Sequence, residues 1–288
     1  MPRRDSPLPI VAISVALGAA SLGAAAGTLL LPGLLTGTPA MNGSARGTAA
    51  VVLLVAVPLL AWAVTRARRG SDRAYAVWLG VTAYLLYNAV LFCFATPFND
   101  LFLVYVAMLS LSLACLVGLL PGALEPPGPD PGATGRWVAV FIAAATGLNT
   151  LAWLRVVVPA LLDDEPAAFL RETGLTTNPV YVQDLALWLP AMLLLAIGLF
   201  RNGPRHLLLA AGGLVFWVVE AVGVGVDQWM GGRADPGSSV ASADLAPAFL
   251  LLAVICSVAA AALLRRLPSG PSATATGPSA ARTSGAEV

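Results

Sequence analysis

Eight stretches of this chain are apolar over roughly 20 residues, the length a helix needs to cross a hydrocarbon core about 30 Å thick. They cover residues 10–31, 48–65, 74–96, 100–120, 137–161, 179–200, 206–229 and 244–264. A backbone in lipid must satisfy its own polar groups, so each stretch reads as a helix. The expected fold is all-α: a polytopic membrane bundle of eight transmembrane helices over residues 1–267, with no folded soluble domain. Composition agrees, since only 11% of the 288 residues are charged against about a quarter in soluble domains.

Several functions are excluded at once. All sixteen cationic side chains are arginine, so no lysine exists for a retinal or pyridoxal Schiff base or for a P-loop. His206 is the single histidine, and Cys93, Cys115 and Cys256 lie scattered in apolar runs. That leaves no bis-histidine haem and none of the common zinc spacings. A net charge of +1 offers no footprint for nucleic acid. No hydrolase or nucleotide-binding motif is present, so no cofactor and no catalytic residue is expected.

Arginine placement orients the bundle. With the N-terminus inside, the cytoplasmic segments hold Arg3, Arg4, Arg66, Arg68, Arg69, Arg73, Arg136, Arg201, Arg205, Arg265, Arg266 and Arg282, and the outer loops hold only Arg46, Arg171 and Arg233. Both termini are then cytoplasmic. The first span is longer than a signal-peptide core and contains Gly23-Ala-Ala-Ala-Gly27, a small-residue face for close helix packing. It is expected to be retained.

The loops carry their own signals. The proline-rich connector 121–135 divides the chain into possible halves, 10–120 and 137–264. Residues 165–174 read as a short helix at the outer surface, and Asn178-Pro179 as a cap and first turn of the sixth span. The tail 268–288 is small, polar and aperiodic, hence disordered. Pro58 and Pro190 sit inside the second and sixth spans, where each frees the carbonyl one turn back, at Leu54 and Ala186. Arg73, Gly80 and Asn88 recur in spacing as Arg205, Gly212 and Glu220, an echo that would suit a parallel four-plus-four repeat.

Ionisable groups within the spans point to a site, because each costs a few kcal/mol or more unless paired or wet. Glu220 is the clearest, in the outer half of the seventh span, with Phe216, Trp217, Gly223 and Asp227 on its face. Asn88 lies at similar depth in the third span, with Tyr84 and Tyr87 on nearly the same side. Asp184 enters the sixth span one turn above Trp188. Arg155 either snorkels to the outer interface or pairs with Glu220 or Asp184. The candidate ligand-binding set is thus Glu220, Asn88, Tyr87, Tyr84, Asp184, Arg155 and Asp227. In the short hairpin after the third span, Asn99 and Asp100 suit a helix cap and its dipole.

The run Tyr84-x-x-Tyr87-Asn88, followed by Phe98-Asn99-Asp100-x-Phe102-x-x-Tyr105-Val106-Ala107, resembles a family of multi-pass integral membrane proteins of high-GC bacteria. The resemblance implies a bacterial inner-membrane location, and it brings no activity and no catalytic residues. Three functions stay open on the sequence. The least demanding is a non-catalytic membrane component or accessory subunit packed against another membrane protein. The second is a protein that binds or moves a small solute in an outward-facing polar pocket around Glu220. The third is a membrane-embedded lipid-modifying enzyme, with only the Asp163-Asp164-Glu165 run to support it.

Overall fold

A computed structural model describes residues 8–124, 128–163 and 167–270. Eight helices in it are long and apolar enough to cross a membrane: α1 (Pro9–Leu30), α2 (Pro39–Ala67), α3 (Asp72–Phe94), α4 (Phe102–Leu124), α5 (Gly132–Leu162), α6 (Pro179–Arg201), α7 (Gly203–Ala234) and α8 (Ala243–Leu264). The protein is an all-helical, multi-pass membrane bundle, and no strand occurs among the described residues.

Burial separates the helices into two groups. The most apolar windows of α3 and α7 are 78% and 72% buried, while those of α4, α5 and α8 are only 22–28% buried. The pair α3–α7 therefore forms the centre. α2 packs on α7 and α6 on both α5 and α7, while α1, α4, α5 and α8 lie outside. Lipid tails are as apolar as leucine, so the hydrophobic effect does not assemble such helices; close packing and interhelical hydrogen bonds do. At the centre, a Cβ on Gly80 would collide with the carbonyl oxygen of Gly212, and one on Gly212 would lie 2.7 Å from Leu79 Cδ2. Between α2 and α7, Gly43 and Gly47 do the same work against the backbones of Met230 and Asp227. Polar bonds tie α3 to α1 and to α4: Trp78 Nε1 donates to Ser14 Oγ at 3.1 Å, and Tyr75 Oη to the Leu119 carbonyl at 2.8 Å.

The two internal prolines follow π turns. Val52–Ala56 in α2 and Asp184–Trp188 in α6 are π-helical, closed by Val57 N–H to the Val52 carbonyl and Leu189 N–H to the Asp184 carbonyl. In each case the proline comes two residues after the turn. A proline supplies no N–H and crowds the turn before it, and a wider turn relieves both constraints without breaking the helix.

Four expectations are corrected. α2 starts at Pro39, not 48, so Arg46 lies two turns inside a helix rather than in a loop. α4 continues through Pro121 to Leu124 and α5 starts at Gly132, which shortens the connector. α7 extends to Ala234 and has 32 residues, about 48 Å at 1.5 Å each, which places Glu220 near its middle. The short helix expected over 165–174 is a single 3₁₀ turn, Ala168–Leu170; residues 165 and 166, like the tail from 271, lie outside the described residues. Both caps form as expected, with Asn99 Oδ1 accepting from Leu101 N–H and Asn178 Oδ1 from Val180 N–H, each at 2.9 Å.

Candidate functional site

The chemistry of the core begins on α3. Asn88, 3% exposed, donates from Nδ2 to the Tyr84 carbonyl one turn back at 3.0 Å and to Glu220 Oε2 on α7 at 3.3 Å. Its backbone carbonyl bonds belong to the helix, so the amide is the group free to reach across. Glu220 keeps part of its surface accessible while Asn88, Tyr84, Phe216 and Val219 around it are buried.

Tyr87 lies one residue before Asn88 and turns towards α6. Its carbonyl accepts from Gln183 Nε2 at 3.5 Å. Asp184, 6% exposed, accepts from Trp153 Nε1 of α5 at 2.8 Å. Because Asp184 opens the π turn, the same turn ends on Trp188, which bonds Gln183 Oε1 at 3.1 Å. The rings of Tyr87, Trp188 and Phe216 form a triangle with centroids 4.7–6.0 Å apart.

Tyr84 is fully buried, and its ring runs to α7 beside Gly223: a Cβ there would lie 3.1 Å from Tyr84 Oη. That hydroxyl has no hydrogen-bond partner among the described residues. Asp227 stands one turn beyond Gly223, with Oδ1 accepting from Gln228 Nε2 at 3.2 Å and its main-chain carbonyl accepting from the Ser44 hydroxyl of α2 at 3.5 Å.

The structure therefore brings together six of the seven residues singled out in the sequence: Glu220, Asn88, Tyr84, Tyr87, Asp184 and Asp227. It leaves out Arg155, which is exposed on α5. Trp153, two residues earlier, is the one that reaches Asp184; positions i and i+2 lie about 200° apart round a helix, so the two cannot share a partner. Gln183 and Trp153 were missed because neither is ionisable, although an amide beside an intramembrane aspartate was a legible signal. No ion pair joins a cation to any of the three carboxylates among the described residues. No group of three or more histidine, cysteine or acidic residues there is arranged to hold a metal ion.

A separate cavity of about 490 Å³ opens between the loops at the arginine-poor end, lined by Thr36, Thr38, Met41, Pro97, Thr173 and Leu175 among others. None of the seven candidate residues borders it. Glu172 clasps these loops: Thr38 Oγ1 donates to its carbonyl at 2.9 Å, while Ser238 Oγ and Ser239 N–H donate to its carboxylate at 2.9 and 3.1 Å. Those donors hold the Glu172 carboxyl below its usual range, the Ser239 N–H foremost.

No protein-family model matches the chain, and no curated protein or solved structure shows significant similarity to it.

Proposed function

We propose that this is a protein of the bacterial inner membrane that binds, and passes, a small solute at a polar crevice between two similar halves. Both termini are cytoplasmic, and the crevice is entered from the arginine-poor, outer side. The Asn88–Glu220 contact, 3.3 Å between Nδ2 and Oε2, carries the proposal. A carboxylate in the centre of a membrane bundle is costly, and here it is kept partly open and met by one amide instead of a cation.

The two-halves arrangement has support beyond that pair. Asn88 and Glu220 are 132 residues apart. The same separation relates the π turn Val52–Ala56 to Asp184–Trp188, Pro58 to Pro190, Arg73 to Arg205, Gly80 to Gly212, and the last residue of α1, Leu30, to that of α5, Leu162. The spans run in the same direction in each half, as in parallel repeats, where substrates bind at the repeat interface near the midplane.

Screening small solutes for a rise in the melting temperature of the purified protein tests the proposal. The Glu220→Gln variant is expected to fold and to lose the response to whichever solute stabilises the native protein. If Glu220→Gln or Glu220→Leu only raises stability and every solute response persists, the crevice is structural. Recovery of a stoichiometric membrane partner, with no solute response, would favour an accessory subunit.

A further inference from the structure

The neutral surroundings of the three carboxylates bear on what the solute is. The carboxylates of Asp184, Glu220 and Asp227 accept from the Trp153 indole, the Asn88 carboxamide and the Gln228 carboxamide respectively. Negative charge is thus gathered with no positive side chain bonded to it among the described residues. Arg46, on the α2 turn that packs against Asp227 through Gly47, has a buried Nε with no hydrogen-bond partner and forms no ion pair among the described residues.

A second observation is independent of charge. Tyr84 is 0% exposed, and its hydroxyl is one of few buried side-chain polar atoms without a partner. Leaving such a group unsatisfied destabilises the fold. The hydroxyl meets Gly223, and positions 220, 223 and 227 share one face of α7, the face that carries both carboxylates. The missing side chain at Gly223 lets the hydroxyl approach the α7 backbone, where a Cβ would lie 3.1 Å from it.

We propose that the Glu220 carboxylate and the Tyr84 hydroxyl hold a small monovalent cation, an alkali-metal ion or a protonated primary amine, and that Asp227 draws it in. The proposal rests on the solute-binding function above and names its substrate class. Carboxylate and phenol oxygens are hard donors, suited to such cations and not to copper or zinc. A divalent ion would require more carboxylates converging at one point, whereas Glu220 and Asp227 are seven residues apart, about 10 Å along the helix. A cation between them relieves the repulsion of the carboxylates and satisfies the phenol oxygen.

The test is a calorimetric and thermal titration of the purified protein with sodium, potassium or methylammonium chloride, at constant ionic strength made up with choline chloride. One of the three cations is expected to bind saturably and to raise the melting temperature above the choline reference. Tyr84→Phe keeps the ring and removes the unsatisfied hydroxyl, so it is expected to melt above the native protein in choline while binding that cation about tenfold more weakly. Asp227→Asn, which leaves Tyr84 in place, is expected to weaken binding without abolishing it. A native protein that does not distinguish the three cations from choline, or a folded Tyr84→Phe that binds as tightly as the native protein, overturns the assignment. If an uncharged solute alone shows Glu220-dependent stabilisation, the cation is wrong and the solute-binding function stands. If no solute of any charge does, both fall.

Discussion

Gly80 and Gly212 face each other across the α3–α7 interface: a side chain on the first would strike the carbonyl oxygen of the second. The obstacle is backbone, which cannot swing aside. Gly80→Ala is therefore expected to destabilise the bundle by about 1–3 kcal/mol through overpacking. Gly147 on α5 has nothing within 4 Å of its would-be Cβ. Gly147→Ala is expected to be neutral or to stabilise by up to about 1 kcal/mol, since alanine loses less conformational freedom in a helix. Reversible unfolding in denaturing detergent compares the two.

Trp153 and Arg155 make a second contrast. Trp153→Phe removes the indole N–H from Asp184 and is expected to cost about 1 kcal/mol, between the average of about 0.6 for interhelical bonds in membranes and the larger values for bonds to charged groups. Arg155→Gln is expected to stay within about 0.5 kcal/mol, as exposed substitutions do. Equal losses in the same unfolding assay would mean that Arg155 has a partner after all.

The two prolines differ in what their π turns carry. Asp184 and Trp188 belong to the site, whereas residues 52–56 are wholly apolar. Pro190→Ala restores a donor for the Ala186 carbonyl and lets the turn tighten, moving Asp184 relative to Tyr87. It is expected to weaken solute binding several-fold, of the order of one lost hydrogen bond, while Pro58→Ala changes binding little. Titration of both variants against the stabilising solute decides it.

Glu172 sets a pH dependence at the loops. Its folded carboxyl titrates below the ordinary value of 4.5, so its contribution is complete above about pH 4.5, the unfolded value, and is lost as pH falls through the folded one. Melting temperatures between pH 3 and 6 are expected to fall more steeply with acid in the native protein than in Glu172→Gln, which lacks the titrating group. Parallel curves would show that the clasp adds nothing. The group is fully exposed to solvent, so the difference is expected to shrink in high salt.

Orientation is tested without purification. A periplasm-sensitive reporter fused near residue 128 is expected to report the cytoplasm, and one near Leu170 the exterior. The reverse pattern would place the crevice entrance on the cytoplasmic side.

The sequence by itself determined the number of helices, because spanning a bilayer is a requirement on consecutive residues and hydropathy reads it directly. Intramembrane charge made Glu220, Asp184 and Asp227 legible for the same reason: lipid penalises them wherever they point. Partners were another matter. Helices this evenly apolar carry no stripe to say which side faces the core, so Arg155 looked able to reach Asp184 where Trp153 does, and Arg46 looked like a loop residue. Only the tertiary structure decided that Gly43 and Gly47 let α2 lie along α7, that the Asn88 amide meets Glu220, and that the Tyr84 hydroxyl is left without a partner. Those contacts join residues more than a hundred positions apart, and no local property of the chain encodes them.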